Sequence, residues 1–229
     1  KKQKNLWREW QKLVDRSVQK INQKYINAIV KKALLEDLSP KGDITTNLIS
    51  FKNKIIKAKL ISKQNGVISG LDFCKTAFKL AGKEAVFKPK IKDGEKIKKN
   101  KVIAEITAKT KTILIAERTA LNFLNHASGI STLTNRFVKK VGNKTKICCT
   151  RKTIPNLRLF EKYAVKKGGG YNHRFNLSDE ILIKENHIAL NDSLENLINK
   201  ALKTKKIITV EIENIKQLKQ VLGLKFKRI

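Results

Sequence analysis

Apolar residues follow two rhythms along this chain, helical at first and alternating soon afterwards. Leu6, Trp10, Leu13, Val14, Val18 and Ile21 recur at helical spacing with Lys, Arg and Gln between them, which predicts a basic amphipathic helix over residues 1–24. Such a face suits packing against the domain or a partner chain better than lying on a membrane. A second helix is expected from Ile26 to Leu38, stopped by the turn formers Ser39-Pro40-Lys41-Gly42-Asp43. Residues 54–115 then change period. Ile55–Ile61 and Val102–Ile106 read as strands, Asp93-Gly94 as a turn, and Leu71–Leu80 as an apolar helix between them. Strands with a helix on one face describe an α+β sandwich domain over residues 25–116.

Beyond Ala116 the elements alternate. Helices are expected near 117–127 and 130–141, and then a strand at Lys146–Cys149. Further strands fall at Glu180–Ile183 and Ile207–Ile212, and another is beginning at Lys227. Helices at about 156–167, 192–202 and 214–222 separate them. Alternation of this kind implies a parallel sheet, open or closed into a barrel. A closed eight-strand barrel takes about 250 residues, and too few follow the first strand here. The fold class is therefore α/β: a sandwich domain followed by an incomplete α/β barrel over residues 117–229. The ending in mid-strand and the absence of any Met suggest a fragment.

Composition narrows the class. Apolar residues make up 41% of the 229 positions, enough for a core, and no apolar run is long enough to span a membrane. The N-terminus lacks the apolar centre of a signal peptide. Cys74, Cys148 and Cys149 show neither a disulfide framework nor metal-ligand spacing, as expected of a reduced, cytoplasmic protein. The net charge of +32 raises the question of nucleic acid. Its lysines are spread along the whole chain, however, and aromatic residues do not interleave with them, so no specific nucleic-acid partner is expected. The same field would concentrate any small polyanionic substrate.

Candidate chemistry gathers between Thr150 and Glu213. Thr150-Arg151-Lys152 follows the expected strand 146–149, and side chains at the C-terminal ends of parallel strands line the usual active-site face. Arginine offers a planar fork for a carboxylate and lysine a point charge for a phosphate. Gly168-Gly169-Gly170 strips side chains from the backbone just before Asn172-His173-Arg174, allowing either a flexible turn or close approach to a ligand. Lys184 ends the run Ile181-Leu182-Ile183, and His187 could cap or orient the segment after it. Glu211 lies within an apolar strand, where a carboxylate is costly unless a cation is near. Glu213 shares its face by period two, so position alone does not choose between them. Arg118 sits on a helix entering the second domain. No Ser-His-Asp arrangement, Walker loop, Rossmann fingerprint or zinc motif occurs.

Taken together, Thr150-Arg151-Lys152-Thr153-x-Pro155, Glu161-Lys162-Tyr163-Ala164-Val165, Gly168-Gly169-Gly170-x-Asn172-His173-Arg174 and Leu182-Ile183-Lys184-x-Asn186-His187 resemble the quinolinate phosphoribosyltransferase family in order and spacing. The segment from Glu36 to Thr45 is similar to the family's N-terminal signature, and the resemblance runs from about Ile26 to Ile229. It implies transfer of a phosphoribosyl group from phosphoribosyl pyrophosphate to quinolinate, with loss of carbon dioxide and pyrophosphate and formation of nicotinate mononucleotide for NAD biosynthesis. It also implies magnesium with the donor, and a homodimer in which one subunit's sandwich covers the partner's barrel mouth.

Matched motif to motif, the resemblance gives Arg151, His173, Arg174 and Lys184 to quinolinate's two carboxylates, with Arg118 reaching in from the neighbouring subunit and Thr150 among the substrate-binding residues. Lys152 falls to the donor, and to quinolinate as well, while Glu211 falls to the donor's ribose and its magnesium. Lys152 and Glu211 are the candidate catalytic residues. The family's next acidic residue, an aspartate, and its glycine-rich phosphate loops would fall beyond Ile229, so the chain as given is expected to lack the 5′-phosphate site and to be inactive. Two other readings are a molybdenum-transport-associated paralogue of the same fold and a basic nucleic-acid-binding protein.

Overall fold

A computed structural model describes residues 18, 20–48, 52–142, 145–190 and 193–229. The helix expected over residues 1–24 lies outside the described residues as far as 17. Helix α1 (Gln23–Leu38) starts later than that helix and earlier than the second one expected, because the Asn22 side chain accepts the Lys24 amide and sets the N-terminus. The chain divides into two compact units, residues 1–172 and 173–229.

In the first unit α1 is followed by the short α2 (Ile44–Leu48), whose start is capped by Asp43 accepting from the Thr46 amide at 2.9 Å. Strand β1 (Ile55–Ile61) pairs antiparallel with β5 (Val102–Lys109), and β3 (Val86–Pro89) flanks β5 on its other edge. Strands β2 (Gly66–Val67) and β4 (Lys96–Ile97) form a separate pair. The central strand buries Ala104, Ile106 and Ala108 at period two, which fixes its register against solvent-facing lysines on β1. Helix α3 (Leu71–Ala81) begins where Asp93 accepts both the Gly70 and Leu71 amides, at 3.0 and 3.2 Å. The expected turn at Asp93-Gly94 thus also caps a helix.

The two helices expected at 117–127 and 130–141 are one. Helix α4 runs unbroken from Thr110 to Val141. Gly129 is exposed, with open space where a β-carbon would stand, so it costs only its intrinsic helix penalty of about 1 kcal/mol. Ser128, its neighbour, turns its hydroxyl to the Ser69 backbone. Packing of α4 against α3 and against α5 (Arg158–Lys167) overrides the local break signal. An aromatic seam joins these helices, with the Phe73 ring 4.2 Å from Phe160 and 5.3 Å from Phe123.

The strand expected at Lys146–Cys149 is reduced to a single parallel bridge between Cys148 and Tyr171. The triple glycine closes α5. Gly169 takes φ +90° and donates to Lys166 O, while the Gly170 amide reaches Val165 O. This is the paired bonding of a Schellman ending. A β-carbon on Gly168 would stand 2.5 Å from the Ser131 carbonyl of α4, so the close approach the glycines permit is helix to helix.

The second unit is built on β6 (Ile181–Ile183) and β7 (Ile208–Val210), parallel and in register Ile183↔Val210. Arg228 extends this sheet by a parallel bridge to Thr209. The short α6 (Glu185–Ala189), α7 (Leu194–Leu202) and α8 (Ile215–Val221) complete it. Its core is Ile183, Leu194, Ile198, Ala201, Ile208, Val210 and Val221.

Candidate functional site

In the first unit the parallel bridge at Cys148 delivers Thr150, Arg151 and Lys152 onto a loop just past a strand-like end. Thr150 and Lys152 are exposed and Arg151 is half-buried. The loop is internally tied: the Lys152 amide donates to Thr150 Oγ1 at 3.2 Å, and the Thr153 amide to Arg151 O at 2.9 Å. Arg151 Nε is buried without a hydrogen-bond partner among the described residues. Downstream, Arg158 Nε donates to Thr153 Oγ1 at 3.1 Å, and Tyr25 OH to Asn156 O at 3.0 Å. Burial, and then the charge of Glu161, push the Tyr25 phenol up to about 12. Arg118 is exposed on α4.

In the second unit the parallel register does the placing. Lys184 and Glu211 each follow the last paired residue of β6 and β7, and the Glu211 amide donates to Ile183 O at 2.9 Å. Their side chains meet, Nζ to Oε2, at 3.5 Å. Glu211 is therefore exposed at a strand end, not enclosed in one, and its nearest cation is Lys184. Glu213 separates from it, its amide donating to Gln217 Oε1 at the start of α8. His187 lies on α6 and its Nδ1 accepts the Lys184 amide at 3.0 Å, which fixes the backbone that presents Lys184.

His173 and Arg174 converge on Glu180, which sequence reasoning passed over. His173 Nε2 lies 3.6 Å from Glu180 Oε2, and the buried Arg174 donates to the Glu180 carbonyl at 3.2 Å. Arg228, also passed over, donates to Glu180 Oε2 at 2.7 Å. The signal available for Glu180 was a carboxylate directly before an apolar strand and a few residues after two cations. Among the described residues no helix is long and apolar enough to cross a membrane.

The first unit thus presents Arg151 and Lys152 just past the Cys148 bridge, and the second presents Lys184 beside Glu211 past the ends of β6 and β7, with His173, Arg174 and Arg228 gathered on Glu180 before β6. Such an arrangement can hold a small polycarboxylate and steady positive charge that develops beside it. Residues 43–128 match the family model described as quinolinate phosphoribosyl transferase, N-terminal domain, and residues 130–228 match the C-terminal domain of the same family. A probable nicotinate-nucleotide pyrophosphorylase [carboxylating] of Methanocaldococcus jannaschii is 42% identical over 204 residues, covering 86% of this chain and 70% of that protein. Its counterpart in Bacillus subtilis is 37% identical, covering 89% and 71%. Among solved structures, the nicotinate-nucleotide pyrophosphorylase from Francisella tularensis superposes with a TM-score of 0.86 at 36% identity, covering 93% of this chain and 76% of that one.

Proposed function

This chain belongs to the quinolinate phosphoribosyltransferase family, and from that membership we propose that it joins quinolinate to the phosphoribosyl group of phosphoribosyl pyrophosphate, giving nicotinate mononucleotide, pyrophosphate and carbon dioxide in NAD biosynthesis. The observation that carries the reading is the placement of Lys184 opposite Glu211 at the ends of two register-paired parallel strands.

In this proposal Thr150, Arg151, His173, Arg174 and Lys184 hold the two carboxylates of quinolinate, and Lys152 meets the phosphates of the donor. Glu211 faces the ribose. Departure of pyrophosphate leaves positive charge on the sugar, which a carboxylate at that position stabilises, and the ring nitrogen of quinolinate then attacks the anomeric carbon. The carboxylate next to the new ring cation leaves as carbon dioxide. Positioning and electrostatics supply the rate, and no protein nucleophile is needed. A magnesium ion carried by the donor would neutralise charge on the departing pyrophosphate, and Glu211 would be the residue here to meet it. An exposed carboxylate such as Glu211 suits a hard cation that prefers oxygen.

A homodimer sharing its active sites, with Arg118 supplied by the neighbouring subunit, is part of the same reading, supported by the exposure of Arg118 on α4. A cytoplasmic location fits the free thiols of Cys74, Cys148 and Cys149.

Calorimetric titration with quinolinate and with nicotinate tests the reading. Two carboxylates need the full cation set, so quinolinate should bind at least about tenfold more tightly than nicotinate. Equal affinity for the two would overturn it.

A further inference from the structure

Three consecutive polar residues of α5, Glu161, Lys162 and Tyr163, are all buried, Lys162 completely. Charged side chains do not remain buried without partners, and the partners of the first two lie at the two ends of one loop. Lys162 Nζ donates to Cys149 Sγ at 2.9 Å, the residue directly before Thr150. Cys149 in turn donates to Asn172 Oδ1 at 3.2 Å, and Asn172 Nδ2 donates back to Lys162 O at 3.2 Å. The three residues close a ring of hydrogen bonds at the base of both cationic segments, since Asn172 directly precedes His173.

Glu161 grips the other end. Its Oε2 accepts the Ile154 amide at 3.1 Å, and its Oε1 pairs with His126 Nε2 of α4 at 3.0 Å. The His126 ring stacks on Phe160, so the carboxylate is braced by the aromatic seam of the core.

We infer that Glu161 and Lys162 are positioning residues: adjacent on one buried helix turn, they clamp the Thr150–Ile154 loop at both ends and so set where Arg151 and Lys152 point. The inference rests on the proposed role of that loop in holding the substrates. Neither residue touches substrate in this account. Their contribution is to remove the freedom that a short exposed loop would otherwise lose on binding. It also explains why a glutamate and a lysine stand side by side on the buried part of this helix.

Amide hydrogen exchange, read together with quinolinate affinity on Glu161→Ala, Glu161→Gln, Lys162→Met and Arg151→Ala, tests this. Glu161→Ala removes the acceptor of the Ile154 amide, whose exchange should quicken by about tenfold or more, with a similar loss of affinity. Glu161→Gln keeps an acceptor oxygen and should restore both. Lys162→Met should loosen Cys149 to Thr153, seen also as faster tryptic cleavage after Arg151 and Lys152. Wild-type exchange at Ile154 in Glu161→Ala, or exchange quickened equally throughout α3 and α4, would overturn the clamp. Unchanged quinolinate affinity in Arg151→Ala, with the exchange results as expected, would overturn the functional reading and leave the clamp standing.

Discussion

Lys184 and Glu211 occupy opposed positions one step past the paired ends of β6 and β7, and their side chains meet at 3.5 Å. Both are close to half exposed, at 42% and 49%. An ion pair so open to water contributes less than about 1 kcal/mol to stability. Lys184→Ala should leave the melting temperature within a degree or two of wild type, while quinolinate affinity falls by about tenfold or more. Calorimetry and thermal melting of the same sample separate the two. Wild-type affinity would remove Lys184 from the site.

The glycine run gives a ranked prediction. Gly169→Ala places a β-carbon at φ +90° in ordinary contact, 3.7 Å from the nearest atom of Val138, and should cost about 1–2 kcal/mol for the backbone conformation alone. Gly168→Ala drives a β-carbon to 2.5 Å from the Ser131 carbonyl, where the contact is backbone and cannot turn aside. It should cost more than Gly169→Ala, by forcing α5 away from α4. Denaturant midpoints at constant slope decide the order, and the reverse order would make the run a flexible turn after all.

Alkali should unfold the first unit sooner than its fold alone would suggest. Burial pushes the Cys74 thiol from 9.0 up to about 12, and the Tyr25 phenol from 10.0 up to about 12. Both acids keep their protons longer in the folded chain than in the unfolded one. The unfolded state therefore binds fewer protons across this window, and stability falls as pH rises from about 9 to 12. Cys74→Ala should flatten the lower part of that fall. An unchanged slope of stability against pH between 9 and 10 in the variant would contradict it.

Periodicity reached most of the elements because burial is one-sided in them. The alternation of Ile55–Ile61 and Val102–Ile106, the apolar face of Leu71–Leu80, and the two short parallel strands were all legible for that reason. Length along α4 was not, since Gly129 is a break signal locally and harmless where no neighbour touches it. The strand at Cys148 shrank to a bridge whose only backbone partner among the described residues is Tyr171, a pairing with the far side of α5 that no window of sequence displays. Residue types at the site were legible through motif and chemistry. Glu180, Arg228 and the double grip of Glu161 and Lys162 were not, because each is defined by a partner distant in sequence or by burial.

Glu180 offers the sharpest remaining test. Its carboxylate takes Arg228 Nη2 at 2.7 Å and stands 3.6 Å from His173 Nε2, while its carbonyl holds Arg174. Replacing the side chain leaves the Arg174 bond intact and frees the other two. Arg228 carries the last bridge of the parallel sheet, its carbonyl accepting the Val210 amide at 3.0 Å. The Glu211 amide is held from the other side, by Ile183 O at 2.9 Å. In Glu180→Ala the Val210 amide should therefore exchange faster while that of Glu211 stays protected. Glu180→Gln, whose amide oxygen still accepts from Arg228 without the charge, should fall between Glu180→Ala and wild type. Equal loss at both amides would mean that Glu180 supports the whole unit, and loss at neither would mean that Arg228 holds its bridge unaided.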